Sequence, residues 1–260
     1  MNWTVLNADC GLYPWPPPAG RTGFQRPGNL FESMLRRICP YGIRGFWYYQ
    51  GEQDEEWPRD YRAELTQLVR CWRSCWGDTE GRLPFLLVQL PMYATGAGED
   101  SWPILRQAQA SVAAGEPNAG LVVLADCGEA DNIHPIDKEP AGRRLALLAL
   151  ETVYGQPVAG RSPQLLKARR GPGPGQVLLH FAHAAGGMQV RGGGVQLAGA
   201  DGIFRDARAV PDGPDRILAD CGALRPPCAV RYAWYNYGPA GLYGGTGLPA
   251  APFGPQTLND

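Results

Sequence analysis

At 260 residues, with 24 Lys plus Arg set against 25 Asp plus Glu, the chain is long enough to bury a full hydrophobic core, as one large domain or two smaller ones. Near-cancellation of charge excludes both the basic field of a nucleic-acid binder and an acidic tail for a basic partner, so the expected partner is small or neutral. No apolar stretch is long enough to cross a bilayer, and residues 1–20 lack the charged start and apolar middle of a signal peptide, so no membrane partner is expected.

The first segment, through about Pro40, reads as an ornate loop: a short apolar Thr4-Val5-Leu6, then the turn formers Tyr13-Pro14-Trp15-Pro16-Pro17-Pro18. Ile43 to Tyr49 is apolar, aromatic and of strand length, and it stops at the polar cluster Gln50-Gly51-Glu52-Gln53-Asp54. Trp57, Tyr61, Leu65, Leu68 and Trp72 then recur at helical spacing, which places them on one face of a helix that Gly77 can end. Pro84 to Leu90 is a second buried strand, Trp102 to Ala114 a second helix, and Leu121 to Ala125 a third strand, too apolar to have a solvent face. That strand ends in the polar run Asp126 to His134. A last helix is predicted from about Lys138 to Tyr154, with Asp137 as N-cap, Ala141, Leu145 and Leu148 inward, and Gly155 as stop.

Strands alternating with helices, and apolar along their whole length, imply a parallel sheet covered on both faces, with ligands at the carboxyl ends of the strands. Beyond Gln156 the pattern changes to short strands separated by Gly and Pro: Gln176–Phe181, Val195–Ala198, Ala207–Val210 and Ala229–Trp234. The predicted class is therefore α/β, a partial parallel sheet with flanking helices over residues 1–156, followed by a β-rich region over 157–260. The 35 Gly and 25 Pro fall between apolar runs, as turns require. Of the seven cysteines, Cys221 and Cys228 alone sit where a short bridge is easy to form; reduced, partly buried thiols are the general expectation.

The chemistry-bearing stretch is Asp126-Cys127-Gly128-Glu129-Ala130-Asp131-Asn132-Ile133-His134-Pro135. A carboxylate three positions before a histidine on a turn can accept from imidazole Nδ1, leaving Nε2 to take a proton from an alcohol, and Asp131 is the natural candidate. Read alone, the stretch suits a surface turn with an incidental histidine equally well. In the second cluster, the Gln50 amide can donate to the oxygen that becomes negative when an ester carbonyl is attacked, and Gly51 allows close backbone approach. Glu52 cannot stabilise an oxyanion and suits an orienting role. The other two histidines, His180 and His183, lie in a strand-like run, and a metal site at His134 with Asp126, Asp131 and Cys127 lacks a second histidine at ligand spacing. Cys71 and Cys75, four apart beside Trp72 and Trp76, read as packing.

A set of ordered blocks goes further. They are Pro27-Gly28-Asn29-Leu30-Phe31 with Met34, Ile43 to Glu52, Trp72-Arg73, Leu83-Pro84-Phe85 with Val88-Gln89-Leu90-Pro91, Arg106-Gln107-Ala108-Gln109, Ile133-His134-Pro135 with Lys138, and Gly142 to Ala146. Ala198 to Phe204, Val230 to Trp234 and Gly247 to Phe253 extend the set. In these the chain resembles the sialate O-acetylesterase family of SGNH hydrolases. The resemblance implies an α/β hydrolase that removes acetyl groups from sugar hydroxyls through a serine acyl-enzyme, without metal or organic cofactor. It implies His134 as general base, Asp131 as orienting acid, Gln50 as oxyanion donor and an O-acetylated carbohydrate as substrate. The chain departs from the family at Tyr48, where Trp is usual, and at Gln53, where Ser or Thr is usual. The family's Gly-Gln-Ser-Asn nucleophile block does not occur between Met1 and Ile43. Ser33, Ser74, Ser101, Ser111 and Ser162 lack the strand-to-helix elbow of a nucleophile; Asp9-Cys10-Gly11 faintly imitates an Asp-Ser start. The expectation is a serine supplied by sequence upstream or by a complementing N-terminal half, the alternative a non-catalytic carbohydrate-binding homologue.

Overall fold

The computed structural model describes residues 27–96, 100–222 and 224–258. Thr4–Leu6, the proline-rich turn and Cys10 lie outside them. Three strands form a parallel sheet in the order β1 (Phe46–Tyr49), β2 (Phe85–Val88), β3 (Ala119–Val122). Their register sets Phe46 opposite Phe85 and Phe85 opposite Ala119, and at the other end Tyr49, Val88 and Val122 lie in one row. The strands therefore finish level, and the loops beginning at Gln50, Gln89 and Val123 leave from a common edge.

Alternation of side chains along each strand decides what covers the sheet. Phe46, Tyr48, Phe85, Leu87 and Leu121 point to one face, where they pack with α1 (Tyr61–Cys75) and α2 (Ser101–Gly115). Leu86, Val88 and Val122 point to the other, against Ala141, Leu145, Leu148 and Ala149 of α3 (Glu139–Thr152). On this second face α3 lies over β2 and β3, leaving Trp47 of β1 61 % exposed. A recess of about 220 Å³ lined by Arg44, Phe46, Trp47, Pro84 and Tyr154 opens at the amino end of β1, away from the polar loops.

Two elements differ from expectation. Trp57 is not on the face of α1: it closes a short 3₁₀ turn, Glu52–Glu56, and is 37 % exposed. Pro58 follows it, and the residue before a proline is driven out of helical geometry, so the helix starts at Tyr61. Tyr61, Leu65 and Leu68 do form the buried stripe. At the start of α3, Asp137 precedes the cap position by one residue, yet its Oδ1 still accepts the Glu139 N–H at 3.0 Å.

Beyond α3 the chain is antiparallel. One four-stranded sheet runs β4 (Gln164–Arg170), β5 (Gln176–Ala182), β10 (Arg216–Asp220), β9 (Arg208–Pro211). The other runs β13 (Phe253–Thr257), β11 (Ala229–Tyr232), β7 (Val195–Ala198), β8 (Phe204–Asp206). A ribbon of β12 (Leu242–Gly244) with β6 (Met188–Val190) completes the region. The predicted strand Ala207–Val210 corresponds to β9, which starts one residue later, and β8 before it belongs to the other sheet. Cys221 and Cys228 carry free thiols rather than a bridge, as do the other described cysteines.

The larger apolar cluster runs from the parallel sheet into the β-rich region without interruption. Polar side chains of α2 cross the same junction. Gln107 Oε1 accepts the Gly254 N–H at 3.1 Å. The Arg106 guanidinium, fully buried, donates to the carbonyls of Ala233 and Tyr235. Burial without a carboxylate partner pulls its pKa down to about 9.

Candidate active site

The loop after β1 is held from four directions. Gly51 takes φ +146°, and a Cβ there would lie 3.0 Å from the Tyr61 hydroxyl and 3.3 Å from Gln109 Nε2, so glycine is what lets the Gln50 carbonyl reach both donors. Tyr61 donates to that carbonyl at 2.9 Å and Gln109 at 3.0 Å. Gln109 Oε1 in turn accepts the Leu90 N–H at 2.9 Å, which locks the first turn after β2 to the first turn after β1. The Gln50 side chain accepts from the Tyr48 hydroxyl at 2.9 Å and donates to Asp54 at 2.5 Å. Glu52 is half-buried in the same turn. Its charge, added to burial, raises the Tyr49 phenol well above the usual range.

The loop after β3 is rooted by Arg144 of α3, whose two terminal nitrogens grip Asp126 at 2.6 and 2.7 Å and whose Nη1 also reaches the Val123 carbonyl at 2.8 Å. Gly128 follows at φ +119°, and a Cβ built there would lie 2.1 Å from the Met92 carbonyl oxygen. Gly128→Ala combines left-handed strain with a collision against backbone, and is expected to destabilise the fold by about 2 kcal/mol or more. Urea unfolding checks this; a shift of a few tenths of a kcal/mol would mean that the two loops do not press together.

Farther along the turn, Glu129 accepts from the Ile136 N–H at 2.8 Å and from Asn132 Nδ2 at 2.9 Å, and Asn132 Oδ1 accepts the His134 N–H at 3.0 Å. These donors hold the Glu129 carboxyl below its usual range. His134 is thereby fixed by its backbone, with its side chain exposed and Pro135 buried behind it. Asp131 is exposed, and among the described residues no hydrogen bond joins it to the imidazole. Asp126 is committed to Arg144 rather than to His134.

The two clusters lie at one rim. Lys138, four residues after His134, places Nζ 5.4 Å from the Tyr49 ring centroid, and Tyr49 and Cys127 each pack against the apolar cluster on the α3 face. The loop after β2 bridges the clusters: Thr95 Oγ1 donates to Glu55 at 2.5 Å, and the Ala94 N–H to the Ala130 carbonyl at 3.1 Å. The β-rich region reaches the same rim, where Asn236 accepts from the Tyr93 N–H at 2.9 Å and, through Oδ1, from the Trp102 N–H at 3.1 Å. With strands about 4.8 Å apart and β2 between them, the ends of β1 and β3 are separated by roughly 10 Å.

Sequence reading singled out Gln50 and His134 as candidates but not the residues that hold their loops: Tyr48, Asp54, Tyr61 and Gln109 on one side, Glu129, Asn132 and Arg144 on the other. The block Arg106-Gln107-Ala108-Gln109 carried a signal, since its polar residues fall on a helix that must be largely buried. Asp54 carried none.

These features define a mixed α/β protein whose candidate site occupies the carboxyl edge of a parallel sheet. Comparison with known proteins makes the assignment specific. Residues 19–148, half of the chain, match the family model "Carbohydrate esterase, sialic acid-specific acetylesterase". Sialate O-acetylesterase from Homo sapiens is 29 % identical over 151 residues, covering 52 % of this chain and 29 % of that protein. The Rattus norvegicus enzyme is 30 % identical over 143 residues, covering 49 % and 26 %. The crystal structure of a carbohydrate acetylesterase from Xanthomonas citri is similar over 96 % of this chain and 57 % of that one, with a TM-score of 0.85 and 32 % identity. The chain belongs to the sialic acid-specific acetylesterase family of carbohydrate esterases. It spans 26–29 % of the length of these curated relatives.

Proposed function

We propose that this chain carries the histidine-bearing part of an O-acetylesterase site that hydrolyses acetyl esters on sugar hydroxyls, those of sialic acid or related glycans. His134 acts as general base, accepting the proton of the attacking hydroxyl and returning it to the departing sugar oxygen. Gln50 donates to the carbonyl oxygen as it gains charge, and Glu52 orients the Gln50 turn. The nucleophilic serine comes from a segment outside these 260 residues. Asp131 is the orienting acid. Its support is the commitment of its neighbours: Asp126 is tied to Arg144, Glu129 to Asn132 and Ile136, and Asp137 to the start of α3. Rotation of two exposed side chains on one turn would join Asp131 to His134, and such bonds often tighten only when substrate is bound.

The observation that supports this reading most is the contact of Lys138 with Tyr49, because it draws the turns of His134 and Gln50 together over the end of β2. The test is to supply a serine-bearing segment of the family, fused upstream or added as a second chain, and to measure acetate release from an aryl acetate and from O-acetylated sialic acid. Release that requires both the added serine and this chain supports the proposal. A folded, associated pair that releases none on either substrate would favour the second reading, a carbohydrate-binding homologue on the same scaffold. That reading draws on the lack of a Gly-Gln-Ser-Asn block in the chain.

A further inference from the structure

The Gln50 amide takes its direction from a carboxylate. Asp54 is 0 % exposed and lies in the 3₁₀ turn that follows Gly51, with Oδ2 2.5 Å from Gln50 Nε2. An ionised carboxylate can only accept, so the amide must turn its NH2 toward Asp54 and its oxygen toward the Tyr48 hydroxyl, which donates to it. Both the flip of the amide and its torsion are thereby set. Charge-assisted bonds of this kind are about twice as strong as neutral ones.

Behind Asp54, α1 presents Glu64, 2 % exposed, with neither carboxylate oxygen hydrogen-bonded. A carboxylate buried without a donor favours its protonated form, whereas one that accepts from an amide is held as an acceptor.

We infer that Asp54 is a positioning residue, an anionic anchor that takes one N–H of Gln50 and thereby aims the other at the developing oxyanion. The inference rests on the proposed role of Gln50. Glu64 contributes by staying neutral: burial first, then the charges of Asp54 and Asp60, raise its carboxyl to about 8.

Two measurements test the anchor, and the first needs no catalysis. In the 260-residue chain the Gln50 side-chain NH2 signals, identified by their loss in Gln50→Ala, are expected downfield of the other glutamine amides because a carboxylate accepts from them. Asp54→Asn is expected to bring them back among the rest. An ordinary Gln50 shift in the wild-type chain, or one that Asp54→Asn leaves unmoved, overturns the anchor.

The second measurement uses the whole esterase on an aryl acetate. Gln50→Ala is expected to lower kcat by about 10²–10³-fold. Asp54→Asn is expected to lower it by about 10–10²-fold with KM little changed, since misdirection of a catalytic group by about 1 Å costs that much. The double variant is expected to be no slower than Gln50→Ala, because Asp54 acts through Gln50. Additive losses, or an Asp54→Asn enzyme as fast as wild type, overturn the inference. Should Asp54→Asn not fold, Tyr48→Phe takes its place in the cycle, keeping the ring packed on Trp72 while removing the other bond to the amide. If Gln50→Ala leaves kcat unchanged, the oxyanion role of Gln50 fails, and the amide shifts still decide whether Asp54 holds it.

Discussion

Replacing His134 by alanine in the serine-complemented protein is expected to lower acetate release from an aryl acetate by about 10²–10⁴-fold, the usual contribution of a positioned general base. Stability is expected to change by no more than about 0.5 kcal/mol, as for other exposed positions. The two expectations belong together. The His134 imidazole is exposed, and the turn is held by Glu129, Asn132 and the His134 backbone N–H, all of which survive the substitution. A variant that melts with the wild type but hydrolyses no ester locates the loss in the chemistry. Equal rates in both proteins would remove His134 from the mechanism.

Glu64→Gln is expected to act on stability, with a sign that depends on pH. In the unfolded chain this carboxyl titrates near 4.5, and in the folded chain burial and the nearby Asp54 and Asp60 raise it to about 8. The folded state therefore holds a proton that the unfolded state has released. Its stabilising effect is complete below about pH 4.5 and is lost as pH rises toward 8. At about 1.4 kcal/mol per pH unit, that interval amounts to roughly 4–5 kcal/mol. Glutamine has no proton to lose and fills nearly the same volume. The variant should therefore match the wild type near pH 4.5 and exceed it by several kcal/mol near pH 8. Urea unfolding of both proteins at the two pH values measures the difference, because titrating groups not coupled to Glu64 cancel between them. A gap between the proteins that is the same at both pH values would show that Glu64 does not titrate in this window.

The glutamine substitution also bears on the site. The charge of Asp54 is one of the causes that raise the Glu64 carboxyl, so the group that stabilises the fold by holding a proton is coupled to the side chain that anchors the Gln50 amide.

Much of the α/β part was legible in the sequence because its signals are local. The strand read from Ile43 to Tyr49 starts at Phe46 and ends, as expected, where the aromatic run meets the polar cluster at Gln50. The helices over Tyr61–Cys75, Ser101–Gly115 and Glu139–Thr152 follow from spacing and from the caps around Asp137 and Gly155. The β-rich half was less legible. Predicted strands fell near β5, β7, β9 and β11, but β4, β6, β8, β10, β12 and β13 were not distinguished, because short strands are fixed by their neighbours more than by their own pattern. Arg216–Asp220, for instance, acquires its place between β5 and β9.

The candidate site divides the same way. His134 stood out by residue type and by the carboxylates before it, and Gln50 by its place at a strand end. Asp54 could not be recognised: nothing local distinguishes it from Glu52, Glu55 and Glu56, yet it alone of the four is fully buried. Gln109 reaches Gln50 across 59 residues of chain and Gly254 meets Gln107 across 147, separations at which periodicity carries no information.

By itself the amino-acid sequence determined the alternation of strands and helices and the polar turns at the ends of β1 and β3, with a histidine on the second of them. Tertiary structure alone decided that those turns meet at a single rim, that Asp54 goes under the Gln50 amide, and that Glu64 is shut in beside it. The physical reason is range. Backbone propensity and side-chain periodicity act over a few residues, whereas burial and hydrogen bonding depend on what the closed chain brings within about 3 Å.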